Sequence, residues 1–518
     1  MAVEAEREKK TRGRGSRRTR ESRSANSNNQ SRLPSKRAFK PVELLSDEAV
    51  EQVHRCSLDL LRDVGLEFDL PEACDILKRN GAMVDSDTGM VKFDPETVEH
   101  WVAQAQSSFS LSARNPARNL DIGGDNIAYG SAGSTPNVLD MDEGRRPGNS
   151  RDFENLVKLS HTLDTVDFFS GYPVEPTDRS VNTRHLDCNR DLLTLSDRVI
   201  RLYGIGKTRI DDGLDMISIA HGISRDELKD SPRALTVLNV NSPLKVDSTL
   251  LQGAMEMARN GQAVVVTPVA FAGAMSPITL SGSLIQHNAE CLGVIALLQM
   301  VNPGTPVLYG SIISNVDMKS GAPALGTPET VTGTIASGQL ARRYRLPTRL
   351  FSGCSSNAVD AQAAYETMFS LWACYLGGVN MVLHAHGYME TGLITSFEKV
   401  LLDSDLIGMM NALSRPIDLS DSKEALAAIK EVGPGGHYLS VAHTMSRYKN
   451  AFHSPLLSDW RAYEYWLKDG GKDYAQRASN KWKQLLEEYQ KPDIDPAVEQ
   501  ALGEFAERRK REIGTAEI

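Results

Sequence analysis

Two histidines one residue apart, His384-Ala-His386, close an apolar run from Val379 to Leu383, and Tyr388 and Glu390 follow at once. Imidazoles and a carboxylate in this arrangement can ligate a metal, move protons, or hold a polar substrate by hydrogen bonds. A metal pair of the kind found in barrel hydrolases needs further His or Asp ligands, and no second histidine falls at another candidate strand end. Imidazoles that orient a substrate are therefore the preferred reading, and a metal-dependent hydrolase using His384 and His386 is the alternative. Glu390 has a structural alternative as well, since it could cap a helix that begins near Ser396.

These residues need a scaffold to bring them together. Pro347 to Gly392 reads as strand, helix, strand: a mixed run from Thr348 to Gly353, a helical pattern from Asp360 to Leu376, a Gly-Gly stop, and the run that ends in the histidines. This is a βαβ unit, whose strands pack in parallel. The same rhythm begins after Arg151. Strands are expected at Asp167 to Tyr172, Val199 to Ile205, Ala234 to Val240, Ala263 to Phe271, Pro306 to Ile313, Thr348 to Gly353 and Val379 to Ala385. Helices are expected at Thr183 to Ser196, Ser248 to Asn260, Leu280 to Val301, Pro328 to Tyr344 and Asp360 to Leu376. Near-continuous apolar strands alternating with helices point to an α/β fold, a (β/α)8 TIM barrel, with the eighth strand not located. An open doubly wound sheet competes, but no GxGxxG follows an early strand and no GxxxxGK[ST] occurs.

In a barrel, alternate strand residues face the lumen. Asn380, His384 and His386 share one parity on the last strand, with Val382 between them. The same argument groups Asn239 with Asn241, Thr267 with Phe271, Tyr309 with Ser311, and Phe351 with Gly353. The expected mouth is aromatic and neutral polar with one acid, Glu390. It is expected to be poor in cations, because Arg349 lies early on its strand and no lysine directly follows a strand end. That argues against a phosphate site or a Schiff-base lysine.

The remaining chain sets the boundaries. Residues 1–40 hold thirteen Lys/Arg and four Glu, a charge of +9, so the rest carries −18 within a whole-chain charge of −9. Rich in Ser, Asn and Gly, this stretch reads as a disordered basic tail, with nucleic acid contact the less favoured reading. Residues 41–150 read as a small N-terminal region: helices from Ser46 to Val64, from Pro71 to Asn80 and from Asp94, a turn around Asp85 to Gly89, then strands and turns from Leu120 to Gly144. The barrel is assigned to 151–415. Residues 416–518, with Trp460, Tyr463, Tyr465, Trp466 and Trp482, read as a helical C-terminal extension, and self-association is expected from them. The six cysteines form no CxxC pair, and the longest apolar run, Cys291 to Val301, is too short to span a bilayer. With no signal-peptide core, a reduced cytoplasmic enzyme is the expectation.

Several stretches carry a resemblance. Asn241-Ser-Pro-Leu244, Ala274 through Ser283-Leu-Ile-Gln-His-Asn-Ala-Glu290, Tyr309-Gly-Ser311 with Asp317 to Gly326, Asp360-Ala-Gln-Ala363 with Glu366, and Met389-Glu-Thr-Gly392 run in order along the chain. In them the chain resembles the trimethylamine methyltransferase family, in particular its non-pyrrolysine branch, which includes glycine betaine methyltransferases. The resemblance implies a (β/α)8 barrel that moves a methyl group from a methylated amine to the Co(I) of a corrinoid. This cobalamin cofactor would sit on a small partner protein, since the chain lacks the DxHxxG cobalt-ligating signature. In the pyrrolysine enzymes that residue sits in the loop ending the sixth strand, and the corresponding position here is Gly353. A glycine offers a tertiary amine neither an electrophile nor a hydrogen bond, so a quaternary ammonium such as glycine betaine is expected as donor, ahead of trimethylamine or another methylamine. Phe271, Tyr309, Phe351 and Tyr388 are the expected cation–π faces, Glu390 and His386 the expected catalytic pair, and His384, His386, Asn239 and Asn241 the donors for a betaine carboxylate.

Overall fold

The computed structural model describes residues 35–514. Eight parallel strands pair in the order of the chain: β1 Ala128–Tyr129, β2 Phe168–Phe169, β3 Val199–Arg201, β4 Ala234–Val240, β5 Ala263–Ala272, β6 Val307–Gly310, β7 Thr348–Phe351 and β8 Met381–Leu383. β1 pairs with β8 on one side. On its other side Gly130 bridges Phe168, with the Asp167 amide on the Tyr129 carbonyl at 2.7 Å and the Ser131 amide on the Phe168 carbonyl at 3.0 Å. The barrel is therefore closed. The strand that the sequence pattern did not locate is β1. Only two residues long, it lies upstream of residue 151, inside the stretch read as N-terminal region.

A helix follows each strand: α1 Ser150–Thr162, α2 Arg184–Leu195, α3 Lys207–His221, α4 Ser248–Arg259, α5 Leu280–Val301, α6 Pro328–Arg343, α7 Ala361–Gly377 and α8 Phe397–Leu413. Most begin on a side-chain cap, as with Asn149, Asp247, Thr279, Thr327, Asp360 and Ser396, each accepting an amide of the first turn. Among the described residues, α5 alone is long and apolar enough to cross a membrane. It is buried within the protein, between the strands and the N-terminal helices.

The lower end of the barrel is plugged by a hairpin, Phe109–Leu111 against Leu120–Ile122, whose apolar side chains join Ala128, Phe168, Val199, Leu235, Val265 and Met381 in one buried cluster. That cluster fixes which strand residues face the lumen. The helices Asp47–Asp63, Pro71–Arg79 and Pro95–Val102 and the hairpin Met83–Asp85/Met90–Lys92 lie where the sequence pattern expects them. They pack on α5, which approaches closely at Gly293: a side chain there would meet Leu66 at 2.5 Å.

At the upper end, the loops after β1 and β8 join in a small sheet in which Ile394–Ser396 pairs with Asn137–Asp140 and with Tyr388–Met389. The C-terminal extension is helical. Tyr474–Glu487 lies on α8 through Trp482, which stacks on Phe397 at 4.6 Å. Pro496–Ile513 reaches α2 and α3 through Lys510–Asp187 and Arg509–Asp212, each at 2.6 Å. Between α8 and these helices, Ile417, Leu439, Phe452 and Trp460 are exposed.

The expected basic tail falls outside the described residues up to position 34. Beyond it the chain is already part of the body, earlier than Pro41: Lys36 bridges Asn126, and the buried Arg37 donates to the Val379 carbonyl at 2.9 Å.

Candidate functional site

Register decides what the lumen holds. Met381 and Leu383 of β8 belong to the interior cluster, and in parallel pairing they stand beside Arg349 and Phe351 of β7. Arg201 of β3 likewise stands beside the inward Leu235 of β4. Two arginines therefore enter the lumen, with Thr267 on β5 beneath them. Arg349 is 1% exposed and Arg201 8%. Arg349 Nη1 points to Thr267 Oγ1 at 3.4 Å, and Arg201 Nη1 donates to the Ser170 carbonyl at 3.0 Å while its guanidinium lies 5.0 Å from the Tyr203 ring centre. The expected cation-poor mouth is corrected here. The available signal was an arginine at an inward position of an apolar strand, where burial without function is costly.

The same register overturns the expected parity of β8. Odd residues face inward, so Asn380 points out: its side chain accepts from the Thr348 amide and donates to the Gly124 and Asn126 carbonyls. His386 is also outside the lumen, one ring nitrogen on the Gly130 carbonyl at 3.0 Å and the other on Thr165 Oγ1 at 3.1 Å. His384 escapes this fate by leaving the strand. Its φ of 56° breaks the alternation, its amide donates to Ser170 Oγ at 3.2 Å, and its ring stacks on Tyr388 at 4.6 Å between centroids. Burial, with the charges of Arg349 and Arg201 beside it, holds this imidazole well below its ordinary pKa. It is neutral at physiological pH. Burial and the neighbouring Arg201 charge also bring Arg349 down to about 9, and burial pushes the Tyr388 phenol up to about 12.

Among the other expected residues, Phe271, Phe351 and Gly353 keep the inward parity, and Asn239 reaches the rim of the lumen exposed. Asn241 sits just beyond, exposed in the turn it forms with Lys245. Tyr309 faces the other way: its hydroxyl donates to Asn288 Oδ1 at 3.0 Å, in the helix layer behind β6. It is not a lumen wall. Glu390 lies at the rim, where Arg145 of the upper sheet pairs with it at 3.3 Å.

The stretches that carry the resemblance brace this end of the barrel. Glu290 and Gln286 on α5 hold the turn after β4, with Glu290 accepting from Ser242 Oγ at 2.7 Å and from the Leu244 amide at 2.8 Å. Asp360 caps α7, and Glu366 gathers the amides of Ser355 and Ser356, ordering the loop after Gly353. Lys399 and Asp403, both buried, form an ion pair on α8, and Asp403 takes the Gly387 amide at 2.7 Å, anchoring the segment that carries Tyr388. A crevice of about 460 Å³ lined by His54, Glu99, Leu292 and Tyr344 lies in the outer helix layer, away from the strand ends.

Groups of three or more His, Cys, Asp or Glu side chains able to hold a metal do not occur among the described residues. What converges in the lumen is a neutral imidazole, aromatic rings and two guanidinium groups, a constellation suited to holding and orienting a small polar molecule.

Comparison with known proteins finds relatives along nearly the whole chain. The chain is 36% identical over 472 residues, 91% of its length and 98% of the relative's, to glycine betaine methyltransferase of Desulfitobacterium hafniense strain Y51. It is 29% identical to trimethylamine methyltransferase MttB of D. hafniense strain DCB-2, over 91% of this chain and 95% of that protein. It is also 29% identical to proline betaine:corrinoid methyltransferase of Eubacterium limosum, over 89% and 96% of the two chains. The family model for trimethylamine methyltransferase matches residues 10–514, and the protein is a methyltransferase belonging to that family.

Proposed function

We propose that the protein moves a methyl group from a quaternary ammonium compound, with glycine betaine as the model donor, to a corrinoid carried by a separate protein. The observation that carries the choice of a quaternary donor is the position of Gly353. An added Cβ there would stand 2.8 Å from Leu325 Cβ and 2.9 Å from the Phe351 ring, so the wall beside the donor is closed without a reactive side chain. A tertiary amine needs activation before its nitrogen can leave. A quaternary nitrogen does not. The names of two relatives, a glycine betaine and a proline betaine enzyme, support the same choice.

In this reading the chain's own groups position the donor. Phe271, Phe351 and Tyr388 offer aromatic faces to the onium group, each worth about 0.5–2 kcal/mol, and favour no protonation change. His384, neutral and stacked on Tyr388, donates a hydrogen bond, and Asn239 supplies an amide at the rim. Glu390, held by Arg145, shapes the opening through which the partner reaches the donor. The chemistry that the corrinoid supplies is in-line attack on a methyl carbon, with the C–N bonding pair staying on nitrogen as the neutral tertiary amine leaves. No proton is transferred, so orientation, worth roughly 7–11 kcal/mol at best, is the main contribution of the protein.

Incubation with a reduced corrinoid and a panel of glycine betaine, proline betaine, carnitine, choline and trimethylamine tests the proposal. Methylation of the corrinoid by a quaternary donor is the expected result, and methylation by trimethylamine alone would reject it.

A further inference from the structure

We infer that Arg201 and Arg349 form a carboxylate subsite inside the barrel, so that the methyl donor must be a zwitterion carrying an anionic group opposite its onium centre. This deepens the proposed function and rests on it for the identity of the onium group.

The argument begins with two charges that lack a countercharge. Both guanidinium groups are more than nine-tenths buried, and among the described residues neither makes an ion pair within 4 Å. Among the described residues their Nε–H groups have no hydrogen-bond partner, and neither does Nδ1 of His384 beside them. The nearest carboxylate to act on Arg201 is Glu175, and Arg184 already holds that group at 3.1 Å. Protein interiors do not keep paired cations in this condition unless something completes the site. A guanidinium presents planar N–H groups that match a carboxylate, and two of them with an imidazole N–H offer more donors than one carboxylate has lone pairs.

The sign of the lumen then sets the substrate class. A bare cation such as choline would have to approach two buried guanidinium groups and would be repelled. A betaine brings one carboxylate to the arginines while its onium group stays with the aromatic rings nearer the mouth. Fixing the carboxylate deep in the barrel also leaves the methyl groups facing outward, toward the side from which an acceptor must come. The donors expected from the sequence for this carboxylate were His384, His386, Asn239 and Asn241. Of these His386 is outside the lumen, and the arginines take over the role.

Calorimetry and steady-state kinetics on the full chain separate the possibilities. Three probes are used: glycine betaine, choline as the onium without a carboxylate, and 3,3-dimethylbutanoate as the carboxylate with carbon in place of nitrogen. The expected results are that dimethylbutanoate binds and competes with glycine betaine, and that choline binds about 100-fold more weakly or worse. Arg349→Met should raise KM for glycine betaine by a similar factor, improve choline, and be partly rescued by Arg349→Lys. Choline binding as well as glycine betaine to the unaltered protein would overturn the subsite while leaving a quaternary donor intact. If dimethylbutanoate and glycine betaine bind through the arginines but no onium donor methylates the corrinoid, the subsite stands and the proposed function falls.

Discussion

His384 lies flat against Tyr388, with ring planes 19° apart and centroids 4.6 Å apart, although strict strand alternation would turn its side chain into the helix layer. The left-handed backbone at His384 makes the difference. Because burial, reinforced by the charges of Arg349 and Arg201, keeps this imidazole unprotonated well below pH 6.5, its charge does not change in the working range. The rate of methyl transfer should therefore be level from pH 6.5 to 8. An inflection near pH 6.5 that disappears in His384→Asn would contradict this. His384→Ala should lower kcat/KM by ~10-fold or more, through the lost hydrogen bond and stacking face.

Gly353 is the second test. Gly353→Leu must displace Leu325 and Phe351, at a cost of about 1–3 kcal/mol in stability. Donor binding should suffer far more than folding. Thermal denaturation should show a shifted but cooperative transition, and calorimetry should show no binding of glycine betaine.

The Lys399–Asp403 pair is fully buried and holds the Gly387 amide. Lys399→Met leaves a carboxylate buried without its cation and should destabilise the protein by about 3–5 kcal/mol. Lys399→Met combined with Asp403→Leu should cost less than the sum of the single changes. Urea unfolding of the three variants measures the coupling, and additive losses would contradict it.

Acid should weaken the fold through its buried histidines. Burial brings His287 from its ordinary 6.5 to about 4, and burial with Arg233 brings His221 to a similar value. In that window the unfolded chain binds protons that the folded chain refuses. Stability is full above about pH 6.5 and falls as the pH drops toward 4. For the wholly buried His287 the loss reaches about 2 kcal/mol at pH 5. Urea midpoints at pH 7.5 and pH 5 should show the decline, and His287→Gln should make it shallower.

Truncation separates the basic stretch from the folded body. Removal of residues 1–34 should leave methyl transfer unchanged. Removal through Ala38 takes away Arg37, whose guanidinium reaches the Val379 carbonyl, and should lower the melting temperature. Equal melting temperatures for the two truncations would show that Arg37 contributes nothing.

Much of the fold could be read from the residues. Near-continuous apolar runs and capped helical patterns placed seven of the barrel strands, five of the six helices between them and the three N-terminal helices, with α3 the one not named. β1 escaped because two residues carry no periodicity, and only pairing with Met381–Val382 on one side and Phe168 on the other makes Ala128–Tyr129 a strand. The candidate site was less legible. Phe271 and Phe351 share the inward parity and His384 stacks on Tyr388, whereas Tyr309, Asn380 and His386 face the helix layer. Parity along a strand says which residues share a face, but not which face is inside.

The order of apolar and polar residues along this chain determined a parallel barrel and the strand ends at which its chemistry gathers, because both follow from local periodicity and from the burial of apolar surface. The sign of the lumen was decided only in three dimensions. Arg201 and Arg349 are 148 positions apart and become neighbours through strand register, and one left-handed residue returns His384 to their company. Register and a single backbone dihedral are set by packing across the whole barrel, which no stretch of sequence contains by itself.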